Sequence, residues 1–255
     1  MAEKEAWRNW NEEKDYGNMF FKRATGELPE MESSKAVSNL LKKIYQPKMS
    51  LLDVGCGVGH YLRSLRAHLD KDINYNGTDA TPYYVELAQK AYGNPDLFRV
   101  GDIFNLPHAS ESYDIVMCNN VVMHLPPDLE KPFSELIRLS KKYIVIRAMF
   151  GERNYVVREV LTPKDFEFDK NELNVASFEL TKLNFRYFNM YTETYYRNLI
   201  SALSPKSKVE IIKDMDWKPF DNSTDSKTPT ATKTMGEFQV SGNLILDWRF
   251  IVIEK

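Results

Sequence analysis

Residues 51–62 read LLDVGCGVGHYL. An apolar run, an acid, three glycines at alternate positions and a renewed apolar pattern describe a strand that enters a tight turn and opens a helix. Such turns let backbone N–H groups approach a ligand closely. Two phosphate-binding patterns fail here. A dinucleotide fingerprint needs its third glycine one position later, where His60 stands. A P-loop needs Lys followed by Ser or Thr after its last glycine, where His60 and Tyr61 stand. What remains is an acid, Asp53, two residues ahead of Gly55-Cys56-Gly57. Its carboxylate would repel a pyrophosphate and suits a cationic ligand.

Outward from this turn, strands alternate with helices. Strands are expected at 73–79, 97–102, 113–120 and 142–149, and helices at 60–69, 82–92 and 129–140. The near-continuous apolar runs of 113–120 and 142–149 suit strands buried on both faces. Pro82 falls in a permitted first turn. The alternation implies parallel crossovers in a doubly wound α/β sheet. Upstream, a helix is expected between Glu30 and Tyr45, capped by Ser33 or Ser34 and stopped by Pro47. Residues 1–31 carry Trp7, Trp10, Tyr16, Phe20 and Phe21 at helical spacings among charges, which describes an N-terminal helical arm.

After the fifth strand the rhythm breaks. The aromatic-rich stretch 150–191 is too long for an ordinary connection and reads as an insertion with its own structure. A helix follows at 192–203. Strands at 208–215 and 244–254 flank a polar loop at 221–234 and can close a hairpin at the sheet edge.

With 255 residues, 43% hydrophobic and 27% charged, the chain suits one globular domain, 1–255. Its formal net charge of -2 calls for no polyanionic partner, so a nucleic-acid partner is disfavoured. The two cysteines, Cys56 and Cys118, have no metal-type spacing, and no metal is expected. No signal peptide, no span and no membrane partner are read, which makes the cytoplasm the expected compartment.

Taken in order, these signals resemble the class I S-adenosylmethionine-dependent methyltransferases. Beyond the glycine turn, Asp79 in GTDAT (77–81) ends the second strand, GDI (101–103) ends the third, and CNNVVMHLP (118–126) ends the fourth. The resemblance is good over roughly 36–147, weaker over 192–255 and silent on 150–191. It implies a seven-stranded Rossmann-like methyltransferase sheet, with the N-terminal arm as a lid and the 150–191 insertion on the substrate side. It implies S-adenosyl-L-methionine as cofactor and S-adenosyl-L-homocysteine as product. The cofactor-binding residues it implies are Asp53, Gly55, Cys56, Gly57, Asp79, Ala80, Asp102, Ile103 and Asn119. Asp79 would take the ribose hydroxyls, Asp102 and Ile103 the adenine, and Asn119 the methionine end. From the arm, Arg23 would pair with the methionyl carboxylate and Tyr16 would border the transfer site. His124, just past strand four, is the candidate general base. The acceptor is expected to be a small molecule methylated on oxygen or nitrogen, such as a sugar or polyketide. An RNA or protein acceptor, or a non-catalytic interaction module, are the competing readings.

Overall fold

The computed structural model describes residues 8–11, 13–160, 184–214, 233–235, 238–241 and 244–255. Its strands are β1 (Ser50–Val54), β2 (Asn74–Asp79), β3 (Phe98–Val100), β4 (Tyr113–Asn119), β5 (Ser140–Phe150), β6 (Arg158–Val160), β7 (Phe185–Tyr187), β8 (Lys208–Lys213), β9 (Lys233–Met235), β10 (Phe238–Ser241) and β11 (Leu244–Glu254). The α-helices are α1 (Lys14–Thr25), α2 (Glu32–Leu41), α3 (His60–His68), α4 (Pro82–Tyr92), α5 (Glu130–Leu139) and α6 (Glu193–Leu203).

One sheet runs β3-β2-β1-β4-β5-β11, with β8 on the far side of β11. β1 to β5 pair in parallel, and β11 is antiparallel to both β5 and β8. These seven strands form the expected Rossmann-like methyltransferase sheet. β10 and β9 extend it past the start of β11. Strand order reverses between β1 and β4, and open parallel sheets bind ligands in the crevice at such a switch.

Alternate side chains along a strand point to opposite faces, so each buried strand feeds two cores. Leu52, Val116 and Ile144 pack with α5 and α6 on one face. Leu51, Ile115 and Val145 pack with α2, α3 and α4 on the other. Every one of these six side chains is fully buried, which explains the unbroken apolar runs in the sequence.

Two local expectations need correction. Neither Ser33 nor Ser34 caps α2; the N-cap is Met31, and both serines lie inside the helix, buried against α3. The Ser34 hydroxyl donates to the Met31 carbonyl at 2.8 Å and lies 2.8 Å from the Ser64 hydroxyl. Ser33 instead accepts from the Tyr61 hydroxyl at 3.0 Å. The polar loop read over 221–234 ends early, because Lys233 and Thr234 belong to β9; residues 221–232 lie outside the described residues. Of the insertion, β6 and β7 form an antiparallel pair, while 161–183 also lie outside. Among the described residues, no helix is long and apolar enough to cross a membrane.

Candidate active site

The ends of β1, β2 and β4 open into a cavity of about 670 Å³. The turn after β1 forms its floor. Gly55, Gly57 and Gly59 all have positive φ, at 76°, 54° and 74°. A side chain at two of them would meet protein: Val121 at Gly55, and the Phe98 ring, 2.7 Å away, at Gly59. At Gly57 nothing lies closer than 3.8 Å. Gly55 and Gly59 are therefore small for packing, and Gly57 keeps open the side that faces the cavity.

Asp79 ends β2 on the cavity wall. Its carboxylate accepts from the Gly57 N–H and from the Thr81 N–H, each at 2.8 Å. Burial raises its pKa, and those two N–H groups oppose the rise. The acid is thus fixed in position by the turn it faces. Asn119, at the end of β4, is only 6% exposed and lines the cavity. Among the described residues, neither its amide nitrogen nor its amide oxygen has a hydrogen-bond partner. A buried amide left unmatched costs free energy that a polar ligand recovers. Next to it, Asn120 donates to the Tyr61 hydroxyl at 3.1 Å and accepts from Arg147 at 2.6 Å. Arg147 is buried in an ion pair with Asp214.

Ala80, Asp102 and Ile103 line the cavity as expected from the sequence. Asp102 carries a partner that the sequence did not reveal: Arg8 of the arm donates to it at 2.8 Å. Tyr16 and His124 also line the cavity. The His124 Nδ1 lies 2.8 Å from the Tyr187 carbonyl, which can only accept, so Nδ1 carries the proton and Nε2 holds a lone pair. Burial lowers the His124 pKa to about 4, against the pull of that carbonyl and with the aid of Arg186. The ring is neutral at physiological pH, flanked edge-on by Trp10 at 5.0 Å and Phe188 at 5.6 Å.

Three residues expected at the cofactor do not line the cavity. Asp53 is 2% exposed and accepts from the Tyr75 hydroxyl at 2.9 Å. Burial raises its carboxyl to about 7, with Tyr75 opposing and Asp79 adding to the rise. Cys56 is buried behind the turn against Gly77. Arg23 donates to the Pro29 carbonyl at 2.9 Å. The spacing of the turn points to Asp53 and Cys56, but alternate residues of a strand and turn face away from the ligand side, and Arg23 sits on α1, turned to the loop that follows it.

The sequence also left wall residues unassigned. His60 lines the cavity and stacks on Phe20 of α1 at 4.6 Å. Burial, with Arg23 nearby, lowers its pKa to about 3. Leu246 and Trp248 come from β11. An antiparallel strand begins at the edge where its parallel neighbours end, so their place followed from the topology. Glu159 and Arg186, on β6 and β7, pair at 3.2 Å at the same end.

A family model described as a methyltransferase domain matches residues 52–145. An uncharacterized protein of Methanocaldococcus jannaschii is 26% identical over 80% of this chain and 82% of its own length. Ajmaline N-methyltransferase of Rauvolfia serpentina is 27% identical over 66% of this chain, which spans 54% of that enzyme. Among solved structures, a Thermotoga maritima protein described as an S-adenosylmethionine-dependent methyltransferase, possible histamine N-methyltransferase, superposes with a TM-score of 0.55. That match covers 98% of this chain and 99% of the other at 18% identity, a likeness of fold.

Proposed function

We propose that this chain, a class I S-adenosylmethionine-dependent methyltransferase, methylates a nitrogen or oxygen of a small-molecule acceptor. The observation that carries the proposal is the shape of the cavity. It is walled by the arm on one side and by the β6–β7 pair and β11 on the other, with mostly apolar lining. A polymer would want an open basic face.

The residues present fit the cofactor. Asn119 offers an unmatched donor and an unmatched acceptor, Gly57 leaves room for backbone approach, and Asp79 presents a carboxylate fixed by two N–H groups. In this reading Asp79 holds the ribose hydroxyls, Gly55 and Gly57 the methionyl part, and Asn119 its polar end. Ala80, Asp102 and Ile103 border the adenine. When bound, the cofactor supplies a methyl group already made electrophilic by its sulfonium, which departs as a neutral thioether. The protein's task is alignment and exclusion of water. The neutral His124 accepts the N–H or O–H of the acceptor at Nε2 and so aims the lone pair on the same atom. A pKa of about 4 makes it a poor proton acceptor in bulk. We therefore assign it orientation rather than removal of a proton before transfer. Tyr16 closes the transfer site from the arm. The whole chain acts as one domain, with the arm as lid and the insertion on the acceptor side. The cytoplasm suits the free, buried thiols of Cys56 and Cys118.

Incubation with S-adenosylmethionine and a mixed library of amines and phenols, read by mass spectrometry, tests this. One or more small molecules should gain a methyl group, and His124→Ala should slow the gain. Methylation of RNA or protein with no small-molecule product would overturn it.

A further inference from the structure

We infer that the acceptor end selects a molecule carrying a cationic amine on a flat apolar body. This rests on the small-molecule reading above and narrows it. Trp10 and Phe188 stand on two sides of His124, and Met123 and Leu246 lie on the same cavity wall. Such an aromatic and apolar wall suits a flat ring system and offers few groups to a sugar.

Arg186 is 8% exposed and lies between two carboxylates, Glu159 at 3.2 Å and Glu13 at 3.7 Å. Among the described residues, one guanidinium shared between two acids leaves each of them only partly neutralised. Glu159 is the acid that lines the cavity. Its side chain is 47% exposed. Among the described residues, the other cation on the cavity wall is Arg8, already 2.8 Å from Asp102, and no lysine lines it. Among the described residues, an anionic acceptor would therefore meet Glu159 beside a guanidinium already shared between two carboxylates. An ammonium group finds a carboxylate whose charge is only partly neutralised. The ammonium serves as the anchor at Glu159; the atom that receives the methyl is the one presented to His124.

The test uses the full chain saturated with S-adenosylhomocysteine and three matched probes: tryptamine as the cation, N-acetyltryptamine as the neutral analogue and indole-3-acetate as the anion. Calorimetry at neutral pH should rank them in that order, with tryptamine roughly tenfold tighter than its neutral analogue. Glu159→Gln should erase that preference and leave S-adenosylhomocysteine affinity unchanged. Equal binding of the three, tighter binding of the anion, no binding of any, or an unchanged preference in Glu159→Gln overturns the inference. A protein that fails to bind S-adenosylhomocysteine at all would sink the methyl-transfer reading beneath it instead.

Discussion

Asp79 and Asp53 are both acids at strand ends beside the same turn, and their surroundings give them opposite tasks. Asp79 is held by two N–H groups and faces the cavity. Asp79→Ala removes a two-oxygen acceptor, a loss of ~1–3 kcal/mol for each hydroxyl left unpaired. Affinity for S-adenosylhomocysteine should drop at least about tenfold by calorimetry; unchanged affinity would remove Asp79 from the site. Gly57→Val should abolish the same binding, because its side chain fills the space open above the turn; at φ 54° it also strains the turn, so circular dichroism must show a native fold for the loss to count. Asp53 is a stability group. Its folded pKa, about 7, lies above the ordinary 3.8. The native state therefore holds a proton that the unfolded state has released. Stability falls as pH rises from about 4 to about 7 and is flat beyond, a loss on the order of 4 kcal/mol. His60 and His124, with pKa values lowered to about 3 and 4, act with the opposite sign below pH 6.5. The wild-type slope is their sum, and the difference from Asp53→Asn isolates the carboxyl. In urea melts, Asp53→Asn should gain on wild type as pH climbs from 5 to 8. Parallel curves would mean that Asp53 titrates normally. Sequence spacing located all of this turn, yet could not separate Asp53 from Asp79, because the difference is which way each carboxylate points and what it meets there.

At the scale of elements, the arm is stitched to the cavity at several points. Phe20 stacks on His60, Trp10 meets His124, and Arg8 reaches Asp102. Only aromatic spacing was visible in the sequence. The partners lie 40 to 114 residues away along the chain, and no local pattern encodes such pairs. Likewise the insertion announced itself by length and aromatic content, whereas the hairpin register and the Glu159–Arg186 pair did not. Alternating parallel strands were legible because burial on both faces writes a continuous apolar run. An arm that orders on binding should gain hydrogen-exchange protection over 14–25 when S-adenosylhomocysteine is added. Equal exchange in both states would reduce α1 to fixed packing. Trp10→Ala should raise KM for the acceptor more than for the cofactor, since it removes an aromatic side chain of the cavity wall beside His124 and leaves Asp79 and Asn119 untouched.

The whole molecule is organised around β11, which enters between β5 and β8 and is antiparallel to both. The eight-residue register with β5, from Asp247 opposite Phe150 to Glu254 opposite Tyr143, spans most of that strand. β8 leaves the ribosome well before β11, yet it has no place in the sheet without it. During synthesis, a chain released through β8 holds β5 as an exposed edge, and such an edge invites pairing with other chains. Assembly of this half of the sheet thus waits on a contact that joins segments about a hundred residues apart, the kind of contact that slows folding. An arrest-peptide force profile should register its main tension only once β11 has cleared the exit tunnel. Chains stalled earlier should be captured by chaperones that recognise unpaired strands.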